Sequence, residues 1–68
     1  MTIGEKLREL RGDKSQAVIA KAIDVSDSAM SAYENGDRVP RDEVKVRIAE
    51  YYGKTVQEIF FDNERHET

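Results

Sequence analysis

Residues 15–36, SQAVIAKAIDVSDSAMSAYENG, decide the fold of this chain. Ser15 and Ser26 each stand before a helix-forming segment, where a serine hydroxyl accepts a hydrogen bond from the free amides of a helix N-terminus. Asp24-Val25 leaves only a very short break between the two segments, and Asn35-Gly36 supplies a left-handed stop after the second. The stretch predicts two short helices joined by a tight turn.

The turn and the contact between the two helices need particular residue types. Helices separated by so few residues cross steeply, as in a helix-turn-helix, and a steep, close crossing needs a small side chain such as that of Ala20. The turn needs a residue that tolerates a positive φ, and Asp24 is one of the few types besides glycine that do so. Val25 is then expected to point from the turn into the core.

Three further helices are predicted outside this stretch. Thr2 and Glu5 form a capping box, in which each side chain satisfies the other residue's free amide. Ile3, Leu7 and Leu10 follow at the spacing of one helix face. The five predicted segments begin, in chain order, at Thr2, Ser15, Ser26, Pro40 and Thr55. Because no convincing strand pattern is present, the sequence predicts a compact, all-α, five-helix domain.

Length and composition exclude several functional classes. The 68 residues (7.8 kDa) predict one small domain over residues 1–61 and a polar tail over residues 62–68. There is no cysteine, and His66 is the single histidine, so thiolate or histidine metal sites and catalytic triads are excluded. The longest apolar run, residues 17–20, is too short for a membrane span, and no signal-peptide pattern opens the chain. We therefore expect a cytoplasmic protein that is not an enzyme and needs no metal, cofactor, small-molecule substrate or membrane.

The charge is unevenly distributed. Eleven basic and fourteen acidic residues give a net charge of −3, which argues against a general polyanion binder. Residues 1–41 hold seven basic and seven acidic residues, whereas residues 42–68 hold four basic and seven acidic ones. The first part of the chain is neutral overall and is compatible with a locally basic face.

The third predicted helix has two different faces. At about 100° per residue, one side of its helical wheel carries bulky apolar residues and the other carries small and polar ones. The apolar side comprises Ala29, Met30 and Tyr33. The opposite side, here called the polar face, comprises Asp27, Ser28, Ser31, Ala32 and Asn35. Short side chains let a helix backbone approach base edges in a major groove, although an ordinary amphipathic surface helix shows the same pattern.

Residues 2–61 resemble the Xre/Cro-type, lambda-repressor-like helix-turn-helix domain of phage repressors and small bacterial regulators. The matching positions are Ile3 to Arg11, Ser15-Gln16, Ile19-Ala20, Val25-Ser26, Tyr33-Glu34-Asn35-Gly36, Pro40, Ile48-Ala49 and Thr55 to Phe60. Tyr-Glu-Asn-Gly at this spacing from Ser-Gln is the most specific part. The resemblance implies a five-helix all-α fold with the helix-turn-helix at helices two and three, double-stranded operator DNA as ligand, and usually a homodimer.

The resemblance also implies roles for individual residues. The positions that face base edges in the family are matched by Asp27, Ser28, Ser31 and Ala32. The positions that contact or lie beside the DNA backbone are matched by Gln16, Asn35 and Arg38, with Lys14 and Arg41 close enough in sequence to join them. A partly buried, structural ion pair of the family is matched by Arg11 and Glu34.

Several positions depart from the family pattern. Only residues 12–15 separate Arg11 from Gln16, where relatives have a longer connection that includes an apolar residue. Apart from Asn35, the polar face carries none of the side chains that make bidentate contacts to bases, which are Arg, Lys, Gln and Asn. Asp37 adds a negative charge beside Arg38, so we expect few phosphate contacts and a comparatively gentle salt dependence of binding.

The sequence therefore predicts a sequence-specific DNA-binding transcriptional regulator, most simply a small repressor that reads a palindromic operator as a homodimer. Two short reading helices about 34 Å apart would contact one side of the duplex. Phe60 and Phe61 are adjacent aromatics where the core needs only one, so they are the expected dimer interface. The alternative is a protein-interaction module that keeps this fold, binds little or no DNA and acts through a protein partner.

Overall fold

The computed structural model of the chain describes residues 2–61; Met1 and the predicted polar tail over residues 62–68 lie outside the described residues. The helices are α1 (Ile3–Arg11), α2 (Gln16–Ala22), α3 (Asp27–Asn35), α4 (Asp42–Tyr52) and α5 (Gln57–Phe61). No strand occurs within this range, so the all-α, five-helix prediction is confirmed.

Hydroxyl side chains start four of the five helices. At α1, the amide of Glu5 donates to Thr2 Oγ1 at 3.1 Å and the amide of Thr2 donates to Glu5 Oε1 at 3.0 Å. Ser15 and Ser26 accept from the amides three residues on at 3.2 and 3.0 Å, and Thr55 repeats the capping box of α1 with Glu58. The exception is α4, because Arg41 stands at its N-cap and provides no capping hydrogen bond.

The turn between α2 and α3 has the predicted geometry. Asp24 has φ of 61°, and no other residue of the described chain apart from glycine has a positive φ. The amide of Val25 donates to the carbonyl of Ala20 at 2.9 Å, and Ala20 itself is fully buried where the two helices meet. Val25 packs against the core, as expected. The short break therefore packs α3 directly against α2.

The core lies between all five helices. Its largest fully buried apolar side chains are Leu7, Ile19, Ile23, Met30 and Ile48. The sequence left open which tyrosine of α4 faces inward; Tyr52 packs on the core, whereas Tyr51 is 37% exposed. Within residues 2–61, no helix combines the length and apolar character that a membrane span requires.

The fifth helix differs from an ordinary α-helix. Its residues hydrogen-bond in the wider π-helical pattern over Gln57–Phe61. This turn buries Phe60, which is only 5% exposed, whereas Phe61 lies at the edge of the core and keeps part of its ring at the surface. The ammonium of Lys45 stands 5.5 Å from the ring centre of Phe60 and 5.2 Å from that of Phe61, so the lysine stem helps to cover both rings.

Candidate nucleic-acid interface

The carboxylate of Glu34 joins the first three helices. It is 1% exposed, and Arg11 binds both of its oxygens, through Nε at 2.8 Å and Nη2 at 3.0 Å. Gln16, the first residue of α2, donates from Nε2 to the same carboxylate at 2.9 Å. Charge-assisted, two-point hydrogen bonds of this kind are among the stronger polar contacts in proteins. They fix the end of α3 against both α1 and α2.

The ionisation of Glu34 depends on these donors. Burial by itself raises the pKa of the carboxyl group, but the hydrogen bonds from Arg11 and Gln16 and the nearby positive charges outweigh it, so the pKa of Glu34 lies below its ordinary value of 4.5. The carboxylate therefore stays charged at neutral pH, which keeps all three donors engaged.

The backbone of α3 is held from α1 as well. Arg8 donates from Nη2 to the carbonyl oxygen of Glu34 at 2.9 Å, which satisfies a free carbonyl near the helix C-terminus and places a cation at the negative end of the helix dipole. At Gly4 the two helices approach so closely that a Cβ atom there would lie 2.2 Å from the same carbonyl oxygen. Only glycine fits this contact without displacement.

The polar face of α3 is directed away from these contacts. Asp27, Ser28 and Asn35 are exposed, and Ser31 and Ala32 are half-buried. The single polar contact recorded between them within the described chain is a long hydrogen bond of 3.4 Å from Asn35 Nδ2 to Ser31 Oγ. The face therefore offers hydroxyl, carboxylate, amide and methyl groups to a ligand without first breaking the core.

A surface groove of about 610 Å³ lies between the α2–α3 turn and the start of α4. Its charged lining consists of Arg38, Arg41, Arg47, Asp24 and Glu43, and we call it the arginine groove. Within residues 2–61 neither Arg38 nor Arg41 forms an ion pair, and both are exposed. Two of the residues predicted to bind phosphate therefore lie together with side chains available to an anion.

The polar face lies between two groups of polar and basic side chains. On the wheel that places Asp27 at zero, Glu34 falls at about 340°, at one edge of the polar face, and it carries Arg11 and Gln16 with it. Ala29 and Tyr33 fall at about 200° and 240° on the same wheel, beyond the other edge, and both line the arginine groove. A helix that enters a major groove meets the two DNA backbones on its two sides, which is the arrangement that this surface suits.

Lys14, the remaining residue predicted to contact phosphate, lies on the Glu34 side. Its backbone carbonyl accepts from Arg11 Nη1 at 2.8 Å. Its ammonium lies 3.3 Å from the hydroxyl oxygen of Tyr51 and 5.5 Å from the centre of that ring. Tyr51 therefore restrains the lysine immediately before the N-terminus of α2.

Two further observations concern the metal-ligating and titratable side chains of the described residues. Among residues 2–61 there is no group of three or more histidine, aspartate or glutamate side chains that could hold a metal ion. The most perturbed tyrosine is Tyr52, whose pKa burial and the neighbouring Tyr51 and Glu34 raise to about 12. Its hydroxyl is buried and has no hydrogen-bond partner within the described chain.

Sequence reasoning missed four residues that shape this surface. Arg8 binds the carbonyl of Glu34 and Gly4 leaves room for it, Arg47 lines the arginine groove, and Tyr51 restrains Lys14. A glycine inside a predicted helix was the one available signal, because it is unfavourable there unless another backbone comes close. The other three residues act through contacts that join positions at least 24 apart in the sequence, including a hydrogen bond from Arg47 to the carbonyl of Ile23, and such contacts leave no mark on local patterns.

Two short helices, α2 and α3, that pack together across a tight turn, with a free polar face on the second, are the features of a helix-turn-helix domain. A family model described as a helix-turn-helix domain matches residues 2–59, and the chain belongs to this family, which confirms the resemblance drawn from the sequence. Over 61 residues the chain is 34% identical to the transcriptional repressor RstR of the cryptic phage CTXphi from Vibrio cholerae. That match covers 87% of this chain but 55% of the relative, so the chain spans little more than half of that protein's length. No solved structure is significantly similar to the chain.

Proposed function

We propose that this protein is a cytoplasmic DNA-binding regulator of transcription, most simply a repressor. The observation that carries the proposal is the division of α3: one side is fixed to α1, α2 and the core, and the other is free, polar and bordered by basic side chains on both sides. A helix-turn-helix domain is a binding module, so family membership indicates binding and not catalysis. A relative named as a transcriptional repressor supports the same conclusion.

The polar face is the base-reading surface in this proposal. Ser28 and Ser31 offer hydroxyls to either kind of base edge, Ala32 offers a methyl group to thymine, and Asp27 accepts from the amino group of cytosine. None of these makes a bidentate contact, so discrimination at each base pair is modest. Sequence-dependent DNA shape, bridging water and a second protomer then supply the rest of the specificity.

The backbone contacts come from the two borders of the polar face. Arg38 and Arg41 bind phosphate from the arginine groove, and Lys14 binds from the side of α2. Asn35, the last residue of α3, lies on the polar face beside the loop that follows the helix and contacts the DNA backbone from there. Gln16 has one N–H group in contact with Glu34 and a second that remains able to donate to a phosphate oxygen.

The protein acts as a homodimer in this proposal, because two protomers double the short reading surface on a palindromic operator. Phe60 is already buried in its own core, so Phe61 is the member of the predicted pair with surface left for a partner. Sedimentation at micromolar concentration tests this. A species of 7.8 kDa alone, both with and without operator DNA, contradicts dimerisation.

Selection from randomised duplexes about 30 base pairs long tests DNA binding, since that length holds two half-sites one helical turn apart. Low salt of about 50 mM keeps weak phosphate-driven binding measurable. We expect enrichment of a palindromic site, loss of binding in Arg38→Ala, and no loss in Lys54→Ala, an exposed lysine after the end of α4. A folded protein that enriches no sequence refutes the proposal and favours a protein-interaction module.

A further inference from the structure

Arg47 differs from the other two arginines of the arginine groove because it is held in place. Its Nε donates to the carbonyl oxygen of Ile23 at 2.9 Å, at the end of α2. Its Nη1 lies 4.0 Å from a carboxylate oxygen of the exposed Glu43. The Arg47 side chain is 37% exposed and lines the groove, so it has already lost the rotamer freedom that a mobile arginine gives up when it binds an anion.

The groove also carries two carboxylates. Asp24 lines it from the α2–α3 turn and Glu43 from the first turn of α4, and both are exposed. Their combined charge of −2 opposes the +3 of the three arginines, which leaves the groove only weakly positive. In water-like surroundings each carboxylate weakens the attraction of a nearby anion without preventing its binding.

We propose that the arginine groove is a binding site for a backbone phosphate of DNA in which Arg47 is the preorganised cation, and that Asp24 and Glu43 hold its affinity down. Arg38 and Arg41 close on the same phosphate from the loop before α4. The proposal rests on the proposed function and adds to it a contact residue and two residues that set the strength of binding. No covalent step is involved.

Removal of a positive charge from the groove should weaken DNA binding, whereas removal of a negative charge should strengthen it. Arg47→Gln keeps an amide nitrogen where Nε stands, so the hydrogen bond to Ile23 survives while the positive charge is lost. Asp24→Asn removes a negative charge and retains a residue type that tolerates φ of 61°. Glu43→Gln likewise removes a negative charge, at an exposed position of α4. If Asp24 and Glu43 had only a structural role, neither Asp24→Asn nor Glu43→Gln would increase the affinity for DNA.

The experiment measures the affinity of a mixed-sequence, 30-base-pair duplex between about 50 and 200 mM salt for the wild type and each variant. One phosphate contact contributes about 0.9 to the slope of log affinity against log salt. Over this range of salt, the affinity of the wild type should therefore fall about threefold further than the affinity of Arg47→Gln. Asp24→Asn and Glu43→Gln should each bind about twofold more tightly at the low end and converge on the wild type at the high end. Lys54→Gln, beyond the opposite end of α4, is the matched control.

Two results separate failure of this inference from failure of the proposed function. If the wild type binds and Arg38→Ala weakens binding, but Arg47→Gln keeps the wild-type slope, the inference is wrong and DNA binding stands. If the wild type binds no duplex even at the lowest salt, both are wrong. Should Arg47→Gln fail to fold, Asp24→Asn and Glu43→Gln decide the matter, because unchanged affinity in both overturns the inference.

Discussion

Substitution of Gly4 by alanine is expected to destabilise the protein, although alanine is the better helix former. In an exposed helix interior this exchange gains up to about 1 kcal/mol. Here the new Cβ would lie 2.2 Å from the carbonyl oxygen of Glu34 and 3.1 Å from that of Tyr33. Ordinary contact needs about 3.4 Å, so α1 must move away from α3 by roughly 1 Å, and overpacking of this kind costs about 1–3 kcal/mol.

The movement also lengthens the hydrogen bond from Arg8 to the same carbonyl, which contributes about 1 kcal/mol. After the gain in helix propensity is subtracted, the free energy of unfolding should fall by about 2 kcal/mol, which lowers Tm by roughly 10 °C for a domain of this size. Thermal and urea unfolding, followed by circular dichroism, measures it. Glu9→Ala, at an exposed position of the same helix, should change stability by less than about 0.5 kcal/mol. A Gly4→Ala protein as stable as the wild type would refute this account of the α1–α3 contact.

Three further predictions concern side chains around the site. Because the pKa of Glu34 is lower in the folded protein than its ordinary value of 4.5, its contribution to stability is present above pH 4.5 and is lost as pH falls through the folded value; Glu34→Gln should flatten the acid limb of a stability–pH curve. The buried hydroxyl of Tyr52 has no hydrogen-bond partner among residues 2–61, so Tyr52→Phe should raise stability by about 1 kcal/mol in urea unfolding, and a loss of stability would show that the hydroxyl is satisfied. If Tyr51 positions Lys14 for phosphate, Tyr51→Phe should weaken DNA binding in the wild type but have no effect in a Lys14→Ala background, whereas additive losses would show independent roles.

Local chemistry made much of the fold predictable from the sequence. Ser15, Ser26 and Thr55 cap helices because a hydroxyl before a helix has one dominant use, and each does so in the structure. Asp24 takes the positive φ that the two-residue break demands, and Gly36 takes φ of 83° at the end of α3. These outcomes depend on a few neighbouring residues, so one sequence is enough to predict them.

Contacts between elements that are distant in the sequence could not be predicted from local patterns. The sequence alone does not distinguish Tyr51 from Tyr52 as the inward residue of α4, because both lie near the edge of its apolar stripe. The fixed position of Arg47 depends on a contact between α4 and the end of α2, and no local pattern in Gln57–Phe61 indicates the π-helical hydrogen bonding of α5. Family resemblance paired Arg11 with Glu34 but gave no indication that Gln16 and Arg8 bind the same residue.

The two sides of α3 have consequences for how such a protein can change over time. Every contact described here that holds this helix in place uses its buried side or its final turn, and the side chains of Asp27, Ser28 and Ala32 take part in none of them. Mutations at these three positions therefore remove none of these contacts, although the first turn of α3 favours an acidic residue at Asp27 and the half-buried Ala32 favours a small one. If the polar face reads DNA as proposed, a lineage could move from one operator to another through folded intermediates, and a designer could randomise the same three codons in a single library.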